Sequence, residues 1–289
     1  MLLDDYLPML EDLVERGLDE DLAGGDITTD PLIPPHTRGR AGFMVKAPGI
    51  LAGIDIARLV FTKIDPFLKF STLIRDGSKV KQGDIVATVE GDVPGILKGE
   101  RTALNFLQHL SGIATRTSLY VDAVQGLPVK ILDTRKTVPG LRILEKYAVA
   151  MGGGHNHRLN LGDMVLIKDN HIAILRRQGL SVGDIVRQAR NKTPREVKIE
   201  IETSNPVETL EAAEAGADVV MLDNMGLEEM RQAVTLVNHR AIVEASGGVN
   251  LGTIRAIAET GVDWISVGAL THSAGALDIS MKLATQHGT

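Results

Sequence analysis

The chain has no cysteine, a single tryptophan and only 3% aromatic residues. The missing thiols exclude disulfides, thiolate catalysis, iron–sulfur clusters and zinc sites built on sulfur. So few aromatics disfavour a surface on which single-stranded bases stack. A net charge of −6 argues against a general nucleic-acid binder. No stretch approaches the roughly 20 apolar residues of a membrane span. The first 30 residues hold ten acids against the single base Arg16, where a secretion signal needs a basic region. The expectation is a cytoplasmic protein that engages neither nucleic acid nor membrane. Present instead are 289 residues, 44% of them apolar. That is long enough to bury roughly three quarters of the unfolded surface and to form one large or two unequal domains, which excludes disorder.

Charge is unevenly spread. Residues 98 to 177 hold twelve Lys or Arg against six Asp or Glu. The same region carries glycine-rich and histidine-rich motifs, so a small polyanionic ligand is expected there. Up to about residue 110 the pattern is mixed: an acidic helix from Leu3 to Arg16, a Gly/Pro-broken loop GGDITTDPLIPP, then short β-like runs with frequent glycines. Close-spaced glycines between short apolar runs suit an antiparallel sheet with tight turns. IRDGSKVKQGDIVATVEG superficially resembles a lipoyl-domain hairpin but has no lysine at a turn tip, so it is read as scaffold. From Gly99 an amphipathic helix is expected, with Leu104, Leu107, Leu110 and Ile113 at helical spacing.

After residue 128 short apolar runs begin at Val129, Met164, Val197, Val219, Ala241 and Trp264, in steps of 35, 33, 22, 22 and 23 residues, with helical stretches between them. Strand alternating with helix implies a parallel sheet. Five of the runs end in a charged residue, Asp133, Lys168, Glu202, Asp223 or Glu244, and the sixth in Gly268. Chemistry gathered at the carboxyl ends of parallel strands is the logic of an α/β barrel. Six repeats fall short of eight, so the barrel is incomplete or two strands escape the pattern. An open doubly wound sheet is the alternative, although no Gly-rich fingerprint follows a first strand.

The motifs converge on an anion site. DTRKTVPGLR places Arg135 and Lys136 just beyond the first strand, where a guanidinium fork and an ammonium reach carboxylate or phosphate. GGGHNHR brings three glycines together with His155, His157 and Arg158; two histidines two residues apart point oppositely in an extended segment and make a poor metal pair. Lys168 in LIKDNH is either a Schiff-base nucleophile or a fixed positive charge, and its cationic neighbours favour the latter. In KIEIE, Lys198, Glu200 and Glu202 share one face of a strand. One of these carboxylates with Asp223 could hold Mg²⁺ beside a diphosphate; otherwise the buried carboxylate pairs with Lys198 or Arg158. SGGV from Ser246 and SVGAL from Ser266 offer backbone N–H groups at successive strand ends, a phosphate cradle.

Taken together, GERTALNFLQ, DTRKTVPGLR, GGGHNHRLNLGDMVLIKDNH, KIEIE, MLDN, EASGG and ISVGALTHS resemble the quinolinate phosphoribosyltransferases over nearly the whole chain. His109, where that helix often carries arginine, and Asn160, where glycine is usual, are small departures. The resemblance implies transfer of phosphoribosyl from phosphoribosyl pyrophosphate to the nitrogen of quinolinate, with loss of CO2, giving nicotinate mononucleotide for NAD synthesis. It implies an N-terminal α+β open-faced sandwich, residues 1–110, rejoined by a C-terminal helix over 272–289, and an incomplete barrel of about six or seven strands over 111–271. It also implies a homodimer, or a hexamer built from dimers, in which each N-terminal domain covers the other subunit's site. Carried over residue by residue, Arg101 from the partner with Arg135, His157, Arg158 and Lys168 would bind the acceptor's carboxylates, beside Thr134 and Lys136. Ser246, Gly247, Gly248, Val267, Gly268 and Ala269 would form the phosphate loops. Glu200 and Asp223 would lie near the ribose and Mg²⁺, directly or through water, Glu200 being preferred to Glu202. Lys136, Lys168, Glu200 and Asp223 are the expected catalytic set. A same-fold paralogue with another acceptor, a Lys168 Schiff-base aldolase and a non-catalytic phosphoribosyl pyrophosphate sensor are the alternatives; turnover and borohydride trapping separate them.

Overall fold

A computed structural model describes residues 3–284. The chain divides into two compact units: the described parts of Met1–Ser118, Val138–Gly153 and Ser273–Thr289 form one, and Leu119–Thr137 with Gly154–His272 the other.

In the first unit α1 (Leu7–Leu22) turns Leu10, Val14 and Leu18 inward at four-residue intervals, as a helix with one apolar face must. Asp26 accepts the Thr28 and Thr29 amides at the start of the short α2 (Thr29–Leu32). β1 (Arg38–Val45) alternates burial along its length, with Ala41, Phe43 and Val45 fully buried. β2 (Gly49–Ile50) leads to α3 (Ile54–Ile64), whose first amides are capped at a distance by Asp76: Gly53 N–H donates to Oδ2 at 2.8 Å and Ile54 N–H to Oδ1 at 3.2 Å. Tyr147 also donates to Asp76 Oδ2, at 2.8 Å. β3 (Lys69–Thr72), β4 (Lys79–Val80) and β5 (Ile85–Asp92) follow, then α4 (Val93–Ala123). Leu104, Leu107, Leu110 and Ile113 of α4 are all buried, as their spacing predicts. Phe43, Phe61 and Phe70 meet with ring centroids 5.9 Å apart. Burying side chains of this size contributes about 1.5–3 kcal/mol each.

The second unit starts with β6 (Lys130–Leu132); α5 (Arg142–Met151) belongs to the first unit, and the chain then returns to β7 (Val165–Ile167). Thereafter strand and helix alternate: α6 (Asp169–Arg176), α7 (Val182–Lys192), β8 (Ile199–Thr203), α8 (Pro206–Glu214), β9 (Val219–Asp223), α9 (Leu227–Val237), β10 (Ile242–Ser246), α10 (Ile254–Ala258), β11 (Trp264–Ser266) and α11 (Ala269–His272). Ser181 caps α7 by accepting the Asp184 amide, and Asn205 caps α8 ahead of Pro206, the residue types expected at those positions.

The six parallel strands run β6-β11-β10-β9-β8-β7. Each strand lies beside its successor except that the first, β6, pairs with the last, β11. A sheet that brings its first strand round to its last is a barrel with one gap, here between β6 and β7. The GGGHNHR segment reaches the β6 edge: His155 bridges Leu132 in parallel, with His155 N–H to Ile131 O at 2.8 Å and Asp133 N–H to His155 O at 3.1 Å. This is an incomplete barrel of six strands, not an open doubly wound sheet.

Two expectations need correction. The segment expected as a helix over 272–289 contains instead β12 (Ile279–Ala284), antiparallel to β1 from Val45↔Ile279 to Arg40↔Ala284. It completes the sheet β12-β1-β5-β3. Leu277, Ile279 and Met281 are buried while their intervening residues are polar; a period of two suits a strand, and β1 offers it an edge. Residues 285–289 of that expected helix lie outside the described residues. The boundary expected at 110/111 also moves, because α4 is one continuous helix across it and the first unit runs to Ser118 and takes in α5.

Candidate functional site

A cavity of about 560 Å³ opens at the carboxyl ends of the barrel strands. Every strand contributes: Thr134, Arg135 and Lys136 follow β6; Leu166 and Lys168 come from β7 and its end, Glu202 from β8, Met221, Asp223 and Asn224 from β9 and its end, Glu244, Ser246, Gly247 and Gly248 from β10 and its turn, and Ser266 from β11. His157 and Arg158 enter from the segment that reaches the gap.

The loops are held by side chains that the sequence placed next to the expected ligands. Asp133, fully buried at the end of β6, accepts the His157 amide at 2.9 Å and the Asn156 side chain at 2.7 Å. This ties the histidine segment to the strand that carries Arg135. Thr134 Oγ1 accepts the Lys136 amide at 3.1 Å, and the buried Thr271 hydroxyl donates to the Lys136 carbonyl at 2.8 Å. Gly268 packs closely on a lysine: a Cβ there would come within 2.8 Å of Lys136 Cδ, so the Lys136 side chain would have to shift. Gly247 has φ +89°, and a Cβ on it would fall 2.2 Å from Asn224 Oδ1. Asn224 itself sits at φ +56°, sends its amide N–H to Ser246 O at 3.0 Å, and donates from Nδ2 to Asp223 Oδ1 at 3.1 Å. Asn224 thus links the acid ending β9 to the glycine turn after β10, in a left-handed conformation that asparagine tolerates better than most residues.

The inward face of β8 resolves the choice between the two glutamates. Lys198, Glu200 and Glu202 do share a face, and they descend through the barrel at two-residue steps of roughly 6.6 Å. Glu202 lines the upper cavity together with Asp223. Its Oε2 accepts the Asp169 amide at 2.9 Å, and Oε1 lies 3.9 Å from Lys168 Nζ. Glu200 lies below, fully buried, and does not line that cavity. Lys198 lies lower still, its Nζ 5.8 Å from the Trp264 ring centroid, in a smaller cavity of about 330 Å³. Glu202, and not the Glu200 expected from sequence, therefore shares the upper cavity with Asp223.

Glu200 instead joins a buried cluster. His157 Nε2 is 3.0 Å from Glu200 Oε2 and 3.4 Å from Glu244 Oε2, and both carboxylates are fully buried. Among the described residues, none of the four carboxylate oxygens receives a well-aligned hydrogen bond, so these contacts are electrostatic. Burial and the nearby Glu244 charge both raise the Glu200 pKa, and only His157 and Arg158 oppose them. Burial works to discharge His157, but the two glutamates outweigh it and push its pKa up to about 10. Its Nδ1 accepts the Arg158 amide at 2.8 Å. That contact belongs to the neutral ring, whose proton then sits at Nε2 facing the acids; the charged ring favoured by the two glutamates carries a proton on each nitrogen and gives the contact up. Arg158 is 8% exposed, donates from Nη1 to Met164 O at 3.1 Å, and has its pKa lowered by burial and by Arg135 nearby.

Of the other expected residues, Arg101 belongs to the first unit, where it is exposed and lines a different cavity of about 450 Å³ with Arg16 and His109 among others. Val267 is buried with its amide on Leu132 O, and neither it nor Gly268 nor Ala269 lines the upper cavity. Ser266 does line it and donates to Ser246 Oγ at 3.0 Å. Asn224 and Glu244 were given no site role from sequence. Their signals were visible, one in MLDN and the other at a strand end, but nothing local distinguished them from structural polar residues.

The chain matches the C-terminal domain of quinolinate phosphoribosyl transferase over residues 113–282 and its N-terminal domain over 26–111. The chain belongs to the quinolinate phosphoribosyltransferase family. A nicotinate-nucleotide pyrophosphorylase [carboxylating] of Mycobacterium leprae is 43% identical to it over 98% of this chain and 100% of that protein. A probable enzyme of the same name from Synechocystis is 42% identical over 95% and 92%. The crystal structure of NadC from Streptococcus pyogenes superimposes with a TM-score of 0.92 at 41% identity over 98% of each chain. The α/β barrel and the separate antiparallel sheet are thus those of quinolinate phosphoribosyltransferases.

Proposed function

We propose that this quinolinate phosphoribosyltransferase carries out its family's reaction in the cavity at the carboxyl ends of the strands. The chain is a decarboxylating pentosyltransferase of NAD synthesis, forming nicotinate mononucleotide, pyrophosphate and CO2 from quinolinate and phosphoribosyl pyrophosphate. One observation carries the reading: Arg135, Lys136, Arg158 and Lys168 share a single cavity with Glu202, Asp223 and the Gly247–Gly248 turn. Two guanidinium forks match the adjacent carboxylates of the acceptor in both charge and bidentate geometry. Lys136 and Lys168 add positive charge for the carboxylates and the departing pyrophosphate.

The acceptor nitrogen forms a bond to the ribose anomeric carbon as the bond to pyrophosphate breaks. Positive character then develops on the ribose, where Glu202 and Asp223 stabilise it. Once the ring nitrogen is quaternary, the bond from ring carbon to the neighbouring carboxylate breaks. CO2 leaves its electron pair on the ring, and a proton from solvent replaces it. The arginine forks orient the acceptor. Backbone N–H groups at the Gly247–Gly248 turn, ahead of α10, serve a phosphate. Asp223 is exposed and Glu202 offers Oε1, an all-oxygen donor pair that fits Mg²⁺. Mg²⁺ bound there would neutralise pyrophosphate charge.

The reading includes a homodimer in which Arg101 of one subunit completes the other's acceptor site, and a cytoplasmic location. No described helix is long and apolar enough to cross a membrane. The test is nicotinate mononucleotide and CO2 release from purified protein given quinolinate, phosphoribosyl pyrophosphate and Mg²⁺, with nicotinate as the competing acceptor. Turnover of quinolinate alone supports the reading. Binding of phosphoribosyl pyrophosphate without turnover of quinolinate refutes it.

A further inference from the structure

The segment that carries Arg135 and Lys136 leaves the barrel unit at Thr137, and Val138 is the first residue of the other unit. On the barrel side it is held by the Thr134 hydroxyl on the Lys136 amide and by Thr271 on the Lys136 carbonyl. On the far side it runs into a four-residue turn. Leu141 N–H donates to Val138 O at 3.1 Å, with Pro139 at the second position and Gly140, at φ +84°, at the third. That is the residue pattern of a type II turn, in which proline sets the first dihedral and glycine takes the left-handed place. Val138, Pro139 and Gly140 are all exposed, so burial does little to hold the turn and hydrogen bonds must.

One residue closes the turn from both ends. Glu145, in the first turn of α5, donates its backbone N–H to Leu141 O at 2.9 Å, and its side-chain Oε2 accepts the Val138 amide at 3.3 Å. Its Oε1 lies 2.9 Å from His109 Nε2 on α4. The ring can donate there both when charged and when neutral with its proton on Nε2. Glu145 is fully buried in a helix whose Ile143, Leu144, Ala148 and Val149 are buried as well. A carboxyl group in such a place is costly unless hydrogen-bonded, and an apolar side chain of similar size would suit the packing. Its two oxygens meet two donors, one on the turn and one on the 31-residue helix α4.

We propose that Glu145, held by His109, is a positioning residue for the reaction: it pins the Val138 amide, so that the backbone carrying Arg135 and Lys136 is fixed at both ends. Val138 follows Lys136 by two residues, at most about 7 Å of extended backbone, so a released Val138 passes its motion directly to Lys136. Glu145 is buried and acts through the loop, not on a substrate. This rests on the roles given above to Arg135 and Lys136.

The experiment uses the purified full-length enzyme with both substrates varied, well below the Tm of each variant. Glu145→Met keeps the volume and removes both acceptor atoms. Glu145→Gln keeps an oxygen for the Val138 amide and an NH2 group that the other neutral tautomer of His109 accepts. Glu145→Met lowers kcat/KM for quinolinate on the order of tenfold or more, the scale on which a small misplacement is felt at the chemistry. Glu145→Gln stays within about threefold of the parent. His109→Leu lowers kcat/KM by about three- to tenfold, and His109→Gln, which restores a donor, brings it back. A glutamate that serves only the fold would lower Tm in Glu145→Met and leave the kcat/KM of the folded enzyme unmoved, and that result overturns the proposal. If Glu145→Met does not fold, the histidine pair decides, and an unmoved kcat/KM in His109→Leu overturns the proposal. Arg135→Lys and Lys136→Ala are measured in parallel. If neither lowers kcat/KM, the roles given to the loop and the proposal both fall. If they lower it while Glu145→Met does not, only the proposal falls.

Discussion

Replacing Glu202 by glutamine removes one negative charge from the upper cavity while preserving shape and an acceptor for the Asp169 amide, which now donates to Oε2 at 2.9 Å. At an effective dielectric of about 20, a unit charge some 4–5 Å from the developing positive ribose contributes about 3–4 kcal/mol. Glu202 is 15% exposed, so water screens part of this, and about 2–3 kcal/mol is the expected loss in the transition state. That corresponds to roughly a 30- to 150-fold fall in kcat, at about 1.4 kcal/mol per factor of ten. Asp223→Asn should fall by a similar factor and should also raise the Mg²⁺ concentration giving half-maximal rate. Glu200→Gln lies one layer below; its effect should fall on the KM for quinolinate, with kcat lowered by less than about fivefold. Steady-state pyrophosphate release with both substrates saturating reads all three. A Glu202→Gln enzyme within threefold of the parent, beside a Glu200→Gln enzyme lowered a hundredfold, would refute the placement of Glu202 at the reacting centre.

Tyr147→Phe removes a hydrogen bond to Asp76, a carboxyl that burial holds above its ordinary range. With its folded pKa raised, Asp76 favours the fold while protonated, and that contribution fades as pH rises through the folded value. The Tyr147 donor lowers that pKa, so its loss costs most above it: about 1.5–3 kcal/mol near pH 7, shrinking to about 1 kcal/mol in acid. Urea melts at the two pH values check this. Gly247→Ala meets both a left-handed backbone and the Asn224 side chain, whereas Gly248→Ala, at φ +63°, has nothing within 4 Å. The first should cost well over 2 kcal/mol and most of the activity, the second about 1–2 kcal/mol, by the same melts. Thr271→Val loses the buried bond to the Lys136 carbonyl; kcat should fall about tenfold and recover in Thr271→Ser. Mixing inactive Arg101→Ala and Lys136→Ala subunits should restore about a quarter of the parent activity if a twofold pair shares its sites, and none if it does not.

Much of the barrel was legible because its signal is local. Parallel strands read as short apolar runs, and each was found within a few residues of its observed place. Of the charged residues closing those runs, Lys168, Glu202, Asp223 and Glu244 reached one cavity, while Asp133 is buried and holds the His157 amide. Strand parity was legible as well, since Lys198, Glu200 and Glu202 share a face. Three things were not. The depth separating Glu200 from Glu202 depends on the tilt and stagger of neighbouring strands, which no single strand encodes. The strand at Ile279–Ala284 was expected as a helix, because its period of two gains meaning only beside an open edge of β1. Glu244 was visible as a strand end, but its burial against His157 joins residues 87 positions apart.

The amino-acid sequence by itself determined the family, the alternation of strand and helix, the exclusion of sulfur chemistry, and the cationic set Arg135, Lys136, Arg158 and Lys168 that marks an anion site. Those properties reside in residue identity and short-range spacing, which survive without a fold. The tertiary structure alone decided which carboxylate lines the upper cavity, that His157 is clamped between two buried acids, and that Asn224 links the β9 acid to the Gly247 turn. Each of these depends on barrel closure bringing distant segments within 3–4 Å and removing water from between them, and it is there that charges acquire their roles.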